Sequence, residues 1–389
     1  MKYEKNMKKI CFVTTVYMTY KCFLKQLSQY LYETGEYDIT LICNNEEETT
    51  KDIPIYVHYY PVNMKRGVSL SAFGAIKKIY EILEKEKFDI VQYSTPNAAF
   101  YTSIAAKKTR VPVRLYCQWG IRYMGFEGWK RSLFKYLEKK ICDNSTFIEA
   151  ESNNIRNFSL EEKLYTADRS CVIWNGSASG VDLNKFDITK KLSWREKTRT
   201  ILELSDKDIV FAFAGRLTAD KGVNELLEAF FNIEKKHSYV KLLILGGMDN
   251  HHSLKQELLE KAQRSSSVIF TGNVSNIEEY YAASDVFVAP SYREGFGLVV
   301  VEAEAMGIPA IVSDVPGQVD AIKENETGLT FRVKNSKSLE CVMDKLIKNV
   351  ELRIDLGNKA SMYVKDNYEQ KKLFGYLKTH RDALINGEK

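Results

Sequence analysis

The sequence predicts an α/β protein built from two Rossmann-like domains that face each other across a cleft. Three observations carry this. Short apolar runs alternate with amphipathic segments, the pattern of strands and covering helices in parallel sheets. The pattern breaks at 175–182, where Asn-Gly-Ser-Ala-Ser-Gly-Val-Asp has the composition of a linker, and then restarts. The chain of 389 residues has room for two or three domains, each with its own core.

The elements follow in order. The run at 10–15 comes after lysines, like a secretion signal, but Thr14 and Thr15 interrupt it and no small-residue cleavage site follows. It is expected as the first buried strand. Runs at 37–43, 53–59, 89–94, 111–117, 146–150 and 171–174 have strand length, and 70–85 and 129–141 carry helical spacing between them. In the second half, strands are expected at 209–214, 240–245, 268–271, 286–289 and 310–313. Helices are expected at 223–235, 254–263 and 299–306. The last ~50 residues show no strand pattern and are expected to be helical. The domains are placed at 1–178 and 179–367, with a final helix, about 368–389, packing back on the first domain.

Composition excludes several classes. The seven cysteines are odd in number and form no C-x-x-C, so neither a disulfide framework nor a zinc ribbon is present and a reducing compartment is expected. No run approaches the ~20 apolar residues that span a bilayer. Residues 1–185 hold 27 Lys and Arg against 21 Asp and Glu, and the remainder holds 29 against 30. Positive charge therefore gathers in the first half. Residues 104–140 contain ten basic residues and two acids, Glu127 and Glu138. Trp129, Lys130, Arg131, Phe134 and Lys135 lie there on one amphipathic segment. Aromatics beside lysines suit an anionic membrane surface. The alternative is a core-facing stripe with a solvated basic face. No motif supports nucleic-acid binding.

The residues that carry chemistry lie in the second half. Ser291–Pro309 follows a buried strand, turns at Gly295 and Gly297, and starts a helix near Leu298. A helix N-terminus with glycine-exposed amides is an anion site. Glu294 precedes it and Glu302 lies inside it, and carboxylates accept hydrogen bonds from sugar hydroxyls. On residues alone an alternative stands: Glu294 as a charge on the helix N-terminus and Glu302 as a solvated acid. Ala214–Gly222 follows another strand and supplies Arg216 and Lys221, fixed cations suited to a pyrophosphate. Asp206-Lys207-Asp208 and His251-His252 are read as polar loops rather than metal ligands. No G-x-G-x-x-G follows the first strand and no P-loop motif occurs.

These two stretches resemble the retaining glycosyltransferases of family 4, whose fold is called GT-B. The resemblance rests on Gly215-Arg216-Leu217 … Lys221-Gly222, on Glu294 … Glu302 with Gly-Phe-Gly-Leu between, and on Glu304-Ala305-Met306-Gly307-Ile308-Pro309 and Gly328-Leu329. The first half is similar to transferases that build capsular, O-antigen or exopolysaccharide repeat units on a lipid carrier. The matching residues there include Thr14-Thr15, Ser94-Thr95-Pro96-Asn97, Gln118-Trp119-Gly120-Ile121-Arg122 and Asn175-Gly176-Ser177. Many relatives carry a histidine near Trp119, and this chain has none there.

The resemblance implies roles. Arg216 and Lys221 bind the donor diphosphate and stabilise the leaving nucleotide. Glu302 takes the ribose hydroxyls. Glu294 holds the transferred sugar, helped by the amides of Gly295, Phe296 and Gly297, with Gly215 and Leu298 beside them. Asn273 lies near the base. Thr15, Asn97, Gln118, Trp119 and Arg122 fall on the acceptor side. The expected protein is a metal-independent transferase without a cofactor. Its donor is a nucleotide sugar, UDP-linked, and its acceptor a polyprenyl-diphosphate saccharide. It is expected in the cytoplasm, peripheral on the inner face of the membrane, with movement about 175–182 excluding water from the donor. The alternatives are a transferase acting on a soluble acceptor and a non-catalytic sugar-nucleotide-binding partner.

Overall fold

The computed structural model describes residues 7–45, 49–64, 71–248 and 254–388. His251 and His252 lie outside them. The chain divides into two compact units, residues 1–179 with 371–389, and residues 180–370.

The first unit holds seven strands: β1 (Lys8–Val13), β2 (Tyr37–Cys43), β3 (Val57–Pro61), β4 (Ile90–Tyr93), β5 (Val113–Gln118), β6 (Phe147–Ala150) and β7 (Ser170–Cys171). They form one sheet in the order β3-β2-β1-β4-β5-β6-β7, and every pairing is parallel. β1 shows why the strands are apolar throughout rather than alternating. Cys11 and Val13 face one core, and Ile10 and Phe12 face another on the opposite side of the sheet. A parallel sheet is covered on both faces, so both sets of side chains must be apolar. The helices Ser71–Glu86, Pro96–Lys108 and Gly128–Asn144 cover the first face.

The helices Tyr17–Phe23 and Lys25–Glu33 cover the other face, and the last helix, Gln370–Asn386, joins them through Leu373, Phe374 and Leu377. Arg381 on that helix is fully buried. Its guanidinium donates to Gln92 Oε1 at 2.8 Å, to both oxygens of Glu149 and to the Leu377 carbonyl. His380 Nδ1 lies 3.2 Å from Glu149 Oε2. Burial would raise the Glu149 carboxyl, but Arg381 and His380 bring it down to about 2.

The second unit repeats the design with β8 (Ile209–Ala214), β9 (Val240–Leu245), β10 (Val268–Gly272), β11 (Val286–Ala289), β12 (Ala310–Ser313) and β13 (Gly328–Phe331). The order is β10-β9-β8-β11-β12-β13, again all parallel. In β8, Phe211 and Phe213 point to one core and Val210, Ala212 and Ala214 to the other.

The expected α/β class with two Rossmann-like sheets is borne out. Three elements differ from expectation. β3 starts at Val57 because Pro54 closes a turn, with the Val57 amide donating to its carbonyl. β7 stops after two residues, and Trp174 three positions on takes a φ of 52°, which no strand tolerates. β13 was missed because Gly328 and Thr327 weaken its apolar pattern.

Replacing Arg381 by Met leaves Glu149 buried and short of its partner. Loss of about 3–5 kcal/mol is expected in denaturant unfolding. The double variant Arg381→Met/Glu149→Leu should recover much of it. A loss below about 1 kcal/mol would show that the pair does not anchor the helix.

Candidate functional site

In a parallel sheet the loops leaving the strand C-termini share one edge, where open α/β sheets bind ligands. In the second unit three such loops are locked together. Gly222, at the end of the loop after β8, has a φ of +72°, and a Cβ there would stand 2.0 Å from the Pro290 carbonyl oxygen. Only glycine lets the two backbones come this close. The Tyr292 amide donates to the Asp220 carbonyl at 2.9 Å, and Arg293 reaches the Asp220 carboxylate at 3.3 Å. Lys221 Nζ pairs with Glu294 Oε1. The loop after β12 closes the set. Gly317, at φ +82°, sits where a Cβ would lie 2.4 Å from the Glu294 carbonyl, and its own carbonyl accepts from Gly297 N at 3.1 Å.

The result gathers the predicted cations and acids on one edge. Arg216 is exposed directly after β8. Lys221 and Glu294, 73 residues apart, touch. Asn273 is exposed after β10, and its amide packs against Gly247, the second residue after β9. Gly215 and Gly246 take φ of 152° and 139°, and a Cβ on Gly246 would stand 2.1 Å from the Gly215 carbonyl. The amides of Gly295 and Phe296 have no acceptor among the described residues. Two expectations need correction. The Gly297 amide is committed to Gly317 and the Leu298 amide to Phe296 O at 2.9 Å, so neither faces a ligand. The Phe296 ring is buried against Tyr368, so that residue offers only its backbone.

Glu302 lies in the second turn of the helix Leu298–Ala305. It is half-buried, and among the described residues no hydrogen bond reaches its carboxylate. Burial lifts its carboxyl to about 7, with Lys185 opposing and Glu278 adding to the rise. Two residues on, Glu304 projects from nearly the opposite side of the helix. It is fully buried, neither oxygen has a partner in hydrogen-bonding geometry among the described residues, and burial raises it well above the usual carboxyl range against a smaller opposing pull from the nearby Thr327 hydroxyl. Lys185, Asp220, Glu278, Gly317 and the burial of Glu304 were not foreseen. Only Glu304 carried a signal, an acid two residues after Glu302 in an otherwise apolar segment.

In the first unit, Thr15 follows β1, and its hydroxyl meets that of Thr95 at 2.9 Å. Thr95 holds φ 66° just before Pro96, an uncommon conformation for a β-branched residue. Asn97 lies in the next turn and donates to the Tyr101 hydroxyl. Trp119 packs against Phe23, with tilted rings whose centroids are 5.2 Å apart. Arg122 lies over the Phe134 ring at 4.6 Å. Gln118 needs correction: it is fully buried and bonded at both ends. Its amide donates to Glu138 at 2.8 Å, and its oxygen accepts from Ser159 and Tyr165. It belongs to the core network and not to an open edge.

The basic helix Gly128–Asn144 also differs from expectation. Arg131 and Lys135 both pair with Glu162, at 2.9 and 2.7 Å, and Phe134 is half-buried against Phe126. Trp129 and Lys130 do face solvent, joined by Leu133 and Tyr136. Trp129, Leu133, Tyr136 and Lys140 are spaced along one face, with Lys130 over the Trp129 ring and Lys140 over the Tyr136 ring. In the polar turn read at 206–208, the Asp208 carboxylate accepts from the Ser205 amide.

Comparison with known proteins finds relatives of both halves of the chain. Residues 195–362 match the family model "Glycosyl transferases group 1", and residues 9–152 match "Glycosyl transferase 4-like". The chain is 28% identical to the capsular polysaccharide biosynthesis glycosyltransferase CapM of Staphylococcus aureus, over 90% of each chain. It is also 28% identical to the N,N'-diacetylbacillosaminyl-diphospho-undecaprenol alpha-1,3-N-acetylgalactosaminyltransferase of Campylobacter jejuni, over 90% of this chain and 92% of the other. Among solved structures, a glycosyltransferase from Rickettsia africae superposes with a TM-score of 0.79 at 21% identity, covering 98% of this chain and 99% of the other. Anabaena Alr3699/HepE in complex with UDP superposes with a TM-score of 0.78 at 16% identity, covering 97% and 100%. These two structures share the fold.

Glu304 makes stability depend on pH. Its folded value is raised above the unfolded value near 4.5, so the fold retains a proton that the unfolded chain releases. Its favourable contribution is present below that value and is lost as pH rises. Stability should fall by up to about 1.4 kcal/mol per pH unit from this group. Urea unfolding of Glu304→Met from pH 5 to 8 should give a flatter curve than the wild type. Parallel curves would show that the fold does not hold this carboxyl neutral.

Proposed function

Since the chain belongs to the glycosyltransferases described by the two models it matches, we propose that it moves a sugar from a UDP-sugar to a polyprenyl-diphosphate-linked saccharide. Transfer occurs with retention, without a metal or cofactor, at the inner face of the membrane. The observation that carries the reading is the Lys221–Glu294 contact, held by the Gly222–Pro290 approach. It puts a cation suited to a diphosphate beside an acid suited to sugar hydroxyls. The acceptor class is supported by the Campylobacter relative, whose name specifies a diphospho-undecaprenol acceptor.

The chemistry follows from charge. When the glycosyl bond breaks, its electron pair goes to the diphosphate oxygen. Lys221 and Arg216 are fixed cations for that developing charge, and preorganised cations act most strongly where charge appears only in the transition state. Glu294, released from Lys221, accepts hydrogen bonds from the sugar being transferred. The free amides of Gly295 and Phe296 serve the same ligand. Glu302 accepts from the ribose diol, and Asn273 lies by the base.

The test is sugar transfer from a panel of nucleotide sugars to a polyprenyl-diphosphate saccharide, with EDTA present. Lys221→Ala and Arg216→Ala should each lower turnover by about 10²–10³. Unchanged turnover in both would remove the diphosphate assignment. Loss of all activity in EDTA, restored by Mn²⁺, would replace fixed cations with a metal. Transfer to a soluble acceptor alone would overturn the lipid-linked substrate. Nucleotide-sugar binding without transfer to either acceptor would point to a non-catalytic partner.

The exposed face of the helix Gly128–Asn144 supports attachment to an anionic bilayer, with aromatic rings at headgroup depth and lysines beside them. Replacing Trp129 by Ala and Lys130 by Glu should lower the fraction co-sedimenting with phosphatidylglycerol vesicles severalfold and leave UDP binding intact. Unaltered sedimentation would return the helix to a solvated surface.

A further inference from the structure

The chain passes between the two units twice, after Ser179 and after Gln370. Just inside the second unit these two passages are bonded to each other. The Val181 amide donates to the Tyr368 carbonyl at 2.8 Å, and the Gln370 amide donates to the Val181 carbonyl at 3.0 Å. Together they make a parallel bridge of Val181 with Glu369. Val181, Tyr368 and Gln370 are all buried. A bridge of two hydrogen bonds is a small unit of structure, able to open while the sheet beside it stays closed.

Tyr368 also reaches the candidate site. Its amide closes the last turn of the helix Val350–Asn367 through the Val364 carbonyl. Its ring packs on the Phe296 ring, with centroids 5.2 Å apart. Its hydroxyl donates to the Asp320 carbonyl at 3.0 Å. Asp320 holds the loop after β12, because its carboxylate accepts from the Gly317 amide at 2.9 Å. The Gly317 carbonyl in turn accepts from the Gly297 amide. One buried side chain therefore grips the turn at 295–297 by two routes, through the Phe296 ring and through Asp320 with Gly317. A phenylalanine would fill the same space, but only the hydroxyl ties down the Asp320 loop.

We propose that Tyr368 is a positioning residue that joins the Gly295–Phe296 turn to the bridge between the chain passages, so that a nucleotide seated on the turn holds the bridge closed. The inference rests on the reading of the Gly295 and Phe296 amides as donors to that ligand. A ligand stabilises the bridge only if opening the bridge costs the ligand contacts. Tyr368 supplies that cost. When its backbone leaves Val181, its ring and hydroxyl shift with it, and the turn loses the surface that fixes the two amides. A close-packed interior passes such a shift on rather than absorbing it. By reciprocity, a closed bridge strengthens nucleotide binding by the same factor.

The experiment is hydrogen exchange of the full chain, read at the Val181 and Gln370 amides. Each variant is measured without UDP and with UDP at about ten times its own dissociation constant. If opening the bridge releases the ligand, UDP should slow both amides about elevenfold in the wild type. Tyr368→Phe loses only the Asp320 route and, with the coupling shared equally between the two routes, should keep about threefold slowing. Tyr368→Leu loses both routes and should show none. If the leucine variant does not fold, Tyr368→Phe decides. A merely structural tyrosine would speed exchange with and without UDP alike, leaving the slowing at full size in the variants. That result overturns the proposal, as does a wild type in which UDP does not slow these amides.

If UDP does not bind, the donor reading fails and the link is tested without a ligand. Asp320→Ala frees the Gly317 amide and loosens the loop. It should speed exchange at Val181 and Gln370 severalfold, relative to amides of β8, when Tyr368 is present. In the Tyr368→Phe background the same change should have a smaller effect, since the loop is already untied. Equal effects in the two backgrounds overturn the proposal.

Discussion

The candidate site of the second unit depends on one close approach: the backbone of Gly222 against that of Pro290. Two loops that leave different strands can share a contact this short only where one residue has no side chain and a left-handed backbone. Everything chemically important is referred to it. Lys221 precedes the contact by one residue, and Glu294 follows it by four. The Asp220 carbonyl receives the Tyr292 amide across the same seam. Gly317 repeats the arrangement on the far side of the Glu294 loop. The side chains that handle charge are therefore placed by backbone contacts, which hold to tenths of an ångström.

The Lys221–Glu294 pair shows how such a site remains stable while empty. On the proposed reading, a cation and an acid meant for different parts of one ligand neutralise each other until it arrives. Neither is left as an isolated charge in a partly enclosed place, where desolvation would be costly. Donor binding as proposed would exchange one ion pair for two better-matched contacts. The Glu149–Arg381 pair in the first unit has similar geometry and the opposite purpose: it is closed off by Gln92 and the Leu377 carbonyl, so no ligand competes for it.

Much of the fold was legible because parallel strands buried on both faces are nearly continuous apolar runs. β2, β8, β9, β11 and β12 lie where those runs lie. β7 and β13 were misjudged because one ends on a backbone twist and the other is diluted by glycine. Of the site, the glycines, Arg216, Lys221 and the two spaced glutamates stand out in sequence, since each motif is local. Lys185 and Glu278 do not. They bear on the Glu302 carboxyl electrostatically from positions more than 100 and more than 20 residues earlier, which no spacing reveals. Gln118 fails for the same reason in reverse: a polar residue at the end of a strand looks available until its partners, Glu138, Ser159 and Tyr165, are known. The helix Gly128–Asn144 shows the intermediate case. Its composition was clear, but Glu162, just past the end of the helix Asn153–Glu161, decides which cations remain outward.

The last helix has a consequence for how the molecule comes into being. Leu373, Phe374, Leu377 and Arg381 complete the interior of the unit that is synthesised first. During synthesis on the ribosome that unit waits, with Ile10, Phe12 and Leu115 lacking their final cover, until the whole intervening stretch has emerged. The second unit is continuous in sequence and has no such delay. The order of maturation therefore runs against the order of translation, and the waiting apolar face of the first sheet is where a chaperone would have its longest opportunity to act.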